Sequence, residues 1–154
     1  MIPPEELAQM INNMGYVKCN PTSLLPSYYR LNDGTGTIVS AICVISHLAP
    51  NPFNAPGFGI VSKPVLSTFV PLSSRTPEKF TPFEYHEISS GIIDEDVDYE
   101  ILSEEFVTYE LGNGRQLKAR TVIDQVKKTK FFTQIGEPVY NIGTNLITKL
   151  TKNP

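Results

Sequence analysis

The hexapeptide Tyr29-Arg30-Leu31-Asn32-Asp33-Gly34 returns about half the chain later as Tyr109-Glu110-Leu111-Gly112-Asn113-Gly114, the pattern Y-x-L-x-[DN]-G. Each copy reads as the first arm and turn of a β-hairpin, because alternating aromatic and aliphatic residues run into an Asx/Gly turn. Each leads into a long β-branched stretch, Thr37 to Leu48 and Leu117 to Val126. Both then meet a Gly/Pro break (Pro56-Gly57 and Gly136-Glu137-Pro138) and a second apolar stretch. The shared order points to a duplicated β unit, about 28–70 and 108–150, linked by 71–107 within one compact domain, 1–154. The expected fold is mainly β (α+β): a barrel or sandwich of two related β units with one short N-terminal helix.

Thirteen prolines and ten glycines are spread along the chain, which suits short strands and turns. The helix is expected at the N-terminus. Pro3 and Pro4 suit a first turn, Glu5 and Glu6 complement the helix dipole, and Leu7, Met10, Ile11 and Met14 recur at helical spacing before Gly15. Its apolar face has two readings: packing on the sheet, or docking a partner. The run Ile38 to Ile45 is apolar on both faces and predicts a central strand, or one covered by another layer or subunit. In the second half Leu117, Ala119 and Ile123 alternate with Lys118, Arg120 and Asp124, predicting one wet face. This asymmetry argues for a homo-oligomer or a covered sheet.

The net charge of −3 hides a separation along the chain. Between Glu78 and Glu110 stand eleven acidic residues and one lysine; between Leu111 and Pro154 stand eight basic and two acidic ones. Acidic and basic strands lying side by side would neutralise each other. The second reading makes Lys118, Arg120, Lys127, Lys128 and Lys130 a phosphate-contacting surface, with Phe131 and Phe132 able to stack on bases.

Asp94-Glu95-Asp96-Val97-Asp98 and the residues to Glu105 match part of an EF-hand loop, but Tyr99 stands where that loop needs Gly. The plainer reading is one strand with Asp94, Asp96, Asp98 and Glu100 on a single solvated face. Such a row holds Ca²⁺ weakly, so Asp94, Asp96 and Asp98 are the metal candidates; no other cofactor is indicated. The two cysteines, Cys19 and Cys43, form no disulfide framework and no metal spacing.

His47 and His86 are the only histidines. A hydrolase or isomerase would need Glu84, His86 or His47 to converge in one pocket. No P-loop, dinucleotide fingerprint or nucleophile elbow is present in the sequence. The leading expectation is therefore a non-catalytic binding or assembly module, working through protein–protein contacts and as a homo-oligomer. Its contact residues are Phe53 and Phe58 in the Pro-rich loop, with Met10 and Met14 on the helix. The alternative is a nucleic-acid-associated small β-barrel protein using the basic strand. A soluble cytoplasmic protein with no membrane contact is expected, since no secretory signal and no spanning stretch is visible.

Overall fold

The computed structural model describes residues 1–50, 58–112 and 114–152, with Phe58 and Lys152 described in backbone only. A helix, α1 (Pro4–Asn13), is followed by two short strands, β1 (Val17–Lys18) and β2 (Asn20–Pro21). Next come β3 (Ser27–Leu31), β4 (Ile38–Pro50) and β5 (Phe58–Phe69). After 3-10 turns at Leu72–Ser74, Pro77–Lys79 and Tyr85–Gly91 the chain enters β6 (Ile92–Asp94) and β7 (Tyr99–Ser103). Finally β8 (Val107–Gly112), β9 (Arg115–Phe132) and β10 (Pro138–Lys152) complete it.

The strands form two five-stranded antiparallel sheets that pack as a sandwich and do not close into a barrel. One sheet is centred on β4, with β5 along one side and β3 and β1 on the other; β7 extends it beyond β3. The other is centred on β9, with β10 along one side and β8 and β6 on the other; β2 lies beyond β8. Each half of the chain thus contributes the same meander of one short and two long strands.

The motif explains itself once placed. Tyr29 and Tyr109 are fully buried, and Leu31 is buried beside Tyr29 while Leu111 packs against the core around Tyr109. Gly34 turns the first hairpin with φ of +84°, a backbone state that side chains resist. Each tyrosine then reaches across to the long strand of the opposite sheet. Tyr109 Oη accepts from Ile45 N–H (3.3 Å) and donates to the Cys43 carbonyl (3.2 Å). Tyr29 Oη accepts from Ile123 N–H (3.4 Å) and donates to Glu104 Oε1 (2.7 Å).

The long strands need these hydroxyls. β3 accompanies β4 only to Ala41, and β1 joins only at His47, so the stretch between has no strand beside it on that edge. Likewise β8 leaves β9 at Ala119 and β6 arrives at Lys128. Into the second gap come Ser27 Oγ on the Thr121 carbonyl, Tyr99 Oη on the Ile123 carbonyl and Val97 N–H on the Val126 carbonyl. Buried backbone groups that no strand pairs are satisfied by side chains or loops instead.

Of the two expected arrangements, barrel or sandwich, the sandwich forms. Other expectations need correction. Residues 71–107, between the two β units, give one strand to each sheet, β6 to one and β7 to the other. The acidic row is broken too: β6 ends at Asp94, buried Val97 anchors the crossing, and β7 starts at Tyr99 in the other sheet. Asp94, Asp96 and Asp98 therefore do not share one strand face. The helix forms where expected but has no buried residue, so its apolar face does not close a core.

Candidate functional site

The two long outer strands, β5 and β10, face each other across the sandwich without meeting. Register places Ser62, Pro64 and Leu66 of β5 on the inner face, since they pair with Ile45, Cys43 and Ala41, all buried. The inner face of β10 carries Tyr140, Ile142, Thr144 and Leu146 by the same argument. Between them runs an open groove. Its larger part is a cleft of about 370 Å³ bounded by Leu66, Tyr140, Ile142, Tyr85, His86 and Ile88. A smaller part of about 190 Å³ has Cys43 and Thr121 of the two central strands as its floor. Ser62 and Pro64 wall it on one side, and Thr144 and Leu146 on the other.

β5 is apolar on both faces and covered on neither among the described residues. Ile60 and Leu66 face inward and are each 38% exposed; Val65 and Phe69 face outward and are 46% and 57% exposed. Outward cross-strand pairs Ile42–Val65 and Ile38–Phe69 continue this surface onto β4. The hydrogen-bonding edge of β5 is less inviting. Cys43 turns its carbonyl away from β5 towards Tyr109, so its partner Pro64 turns its nitrogen to the open edge, where it has no N–H to offer. Lys63 adds a charge beside it. Both features oppose the addition of another strand, which leaves the faces of β5 as the contact surface.

The inner end of the groove is held by a polar cluster. Asp33, at the first hairpin turn, receives Tyr140 Oη at 2.5 Å and Thr35 Oγ1 at 2.6 Å, and pairs with Lys128 Nζ at 3.1 Å. Its side chain is only 6% exposed. Burial works to raise the Asp33 pKa, but the bonds from Thr35 and Tyr140 and the Lys128 ammonium outweigh it and hold the carboxyl down at about 2. Burial, and then the Asp33 hydrogen bond, push the Tyr140 phenol up to about 12. The cluster ties β10 to the first hairpin and fixes Tyr140 at the groove wall.

The sequence candidates fall in different places. Met10 and Met14 lie on the exposed face of α1, at 41% and 67% exposure. Phe53 lies outside the described residues, as does the side chain of Phe58. Of the five basic residues, Lys127 pairs with Glu95 (3.3 Å), Lys128 with Asp33, and Arg120 lies 4.0 Å from Glu104 and over the Phe106 ring. Lys118 is half-buried and Lys130 exposed on the same strand. Phe131 is buried and stacked on Phe83, so it does not stand free to stack on bases.

His86 contacts Glu84 at 3.2 Å at the mouth of the cleft, both side chains three-quarters exposed. His47 is elsewhere, against Tyr16 near the helix, so the three do not converge. Among the described residues no group of three acidic, histidine or cysteine side chains is placed to hold a metal ion. Among the described residues no helix is long and apolar enough to cross a membrane. Leu66, Tyr140 and Ile142 went unmarked as site residues in the sequence. Their alternation along strands could be read there, but not that two edge strands would face one another over a gap. Comparison with protein families, with curated proteins and with solved structures finds no match to this chain.

Proposed function

We propose that this protein is a non-catalytic assembly module that associates with further copies of itself through the faces of β5. One observation carries the reading: β5 has exposed apolar side chains on both faces, a pattern that belongs inside a layered structure. An exposed surface of this kind marks an interaction site on a folded protein. The contact is expected to run over the outward strip Ile42, Val65 and Phe69 as well as the groove on the other face. Sedimentation velocity across a hundredfold range of concentration tests this. The wild-type chain should sediment as a multiple of the 17.1 kDa protomer, and Val65→Glu with Phe69→Glu should reduce it to the protomer. A wild-type chain that stays monomeric throughout the range would refute the proposal.

A further inference from the structure

We infer that Cys43 is a site of covalent modification, reached through the smaller part of the groove by small α,β-unsaturated carbonyl compounds. The inference is independent of the assembly reading, because it concerns the floor of the groove and not the faces of β5. It starts from a division in the core. On β4, Ala41 belongs to the core cluster around Tyr29 and Ile45 to the one around Tyr109, while Cys43 between them belongs to neither. On β9 the change of cluster falls at Thr121: Ala119 packs with Tyr109 and Ile123 with Tyr29. All of these side chains face inward, since residues two apart on a strand share a face. The cavity of about 190 Å³ floored by Cys43 and Thr121 is thus the seam between the two halves of the core, open to the groove.

The seam is polar where the core on either side of it is apolar. Thr121 is 7% exposed and its carbonyl accepts from Ser27 Oγ, but its hydroxyl has no hydrogen-bond partner among the described residues. A buried hydroxyl in that state gains from any acceptor that enters. Ser62 and Thr144 bring further hydroxyl-bearing side chains to the walls, and Pro64 and Leu146 bring apolar surface. The volume lies below the roughly 300–1,000 Å³ of sites for drug-sized ligands, so the class that fits is small. Cys43 supplies a soft nucleophile on the floor, and Thr121 a donor for an oxygen beside it.

Those two groups suit conjugate addition. The thiol releases its proton to water in the open groove, and the sulfur bonds to the β-carbon. The π pair moves to the α-carbon while charge gathers on the carbonyl oxygen, to which the Thr121 hydroxyl donates. The α-carbon then takes a proton from water. One S–C and one C–H bond replace one S–H bond and one C=C π bond, so no oxidant or reductant is consumed. Cys19 is the internal control, because it is packed inside the cluster around Tyr109 and does not line the seam.

Methyl vinyl ketone is the probe, applied to the native full chain and read by peptide mapping in a mass spectrometer. The adduct should form on Cys43 about tenfold or more faster than on Cys19. Thr121→Val keeps the shape and removes the hydroxyl, and should slow the Cys43 adduct about threefold or more, while Thr121→Ser should keep the wild-type rate. Circular dichroism checks that each variant is folded. The Val65→Glu, Phe69→Glu variant is treated in parallel, so that self-association over the groove does not hide the thiol. A Cys43 adduct in either protein, with Cys19 spared, supports the inference. No Cys43 adduct in either protein before denaturant is added would overturn it, as would adducts on both cysteines at one rate, which report unfolding. A Thr121→Val rate equal to wild type would overturn the assignment of the carbonyl class. Sedimentation reads the assembly proposal separately, so each reading fails on its own measurement.

Discussion

Replacing Tyr109 by Phe removes one oxygen atom from a site with no access to solvent. That oxygen accepts from Ile45 N–H and donates to the Cys43 carbonyl, and both groups lie in the part of β4 that has no strand beside it on that edge. The ring itself fits as before, so the loss is confined to hydrogen bonding. A buried backbone group left without a partner costs about 1–3 kcal/mol, and the two bonds at 3.3 and 3.2 Å are of moderate length. A destabilisation of about 2–3 kcal/mol follows from that range. For a chain of 154 residues it lowers the melting temperature by about 5–10 °C. Urea denaturation is the assay: the midpoint should fall while the slope stays constant, since the exposed area on unfolding is unchanged. Tyr28→Phe, on the outer face of β3 and 38% exposed, is the control and should shift stability by less than about 0.5 kcal/mol. Tyr29→Phe should resemble Tyr109→Phe, and the double variant should be additive, because the two rings belong to separate core clusters. If Tyr109→Phe unfolds at the same urea concentration as Tyr28→Phe, the hydroxyl does not complete the strand and the reasoning is wrong.

Other expectations follow from the same structure. The Asp33 carboxyl, at about 2 when folded and about 3.9 when unfolded, contributes stability that is full above pH 4 and is lost as the pH falls through 4 towards 2. Asp33→Asn should flatten that acid limb by about 2 kcal/mol in pH-dependent urea melts; an unchanged limb would locate acid sensitivity elsewhere. Tyr140 acts at the other end: its raised pKa contributes stability below pH 10 that disappears as the pH rises through 10 to about 12. Gly136→Ala should destabilise severely, by roughly 3 kcal/mol or more, because φ there is +84° and an added Cβ would stand 2.3–2.4 Å from the backbone of Thr76 and Pro77. A soluble Gly136→Ala protein with a wild-type melting temperature would contradict this packing. Cys19 is a buried free thiol whose pKa burial raises, so it should not react with a thiol reagent until denaturant is added.

Alternation and turn chemistry carried much of the fold into view. The pattern Leu117, Ala119, Ile123 against Lys118, Arg120, Asp124 foretold which face of β9 is buried, because strand side chains alternate whatever the partner. The two Y-x-L-x-[DN]-G hairpins foretold the meanders for the same local reason. Charge separation along the chain also has its counterpart in space, in Lys127 with Glu95 and Arg120 beside Glu104. The acidic segment was misread because the chain changes sheets at Val97, and a crossing between layers leaves no periodic mark in sequence. The candidate site was legible only in part. Met10 and Met14 could be picked out as an apolar face, but whether that face is buried depends on what lies opposite.

By itself, then, the sequence determined what is local: a short N-terminal helix, two hairpins with glycine turns, and long strands, the second with one buried face. These follow from backbone preference and from the two-residue period of a strand. Tertiary structure alone decided that the sheets form an open sandwich, and that the two tyrosines satisfy backbone groups of the opposite sheet. It also decided that β5 and β10 stand apart over a groove while the helix lies uncovered beside β1. Those outcomes depend on how far each strand overlaps its neighbours and on which surfaces meet across the core, and neither quantity is a property of any single segment.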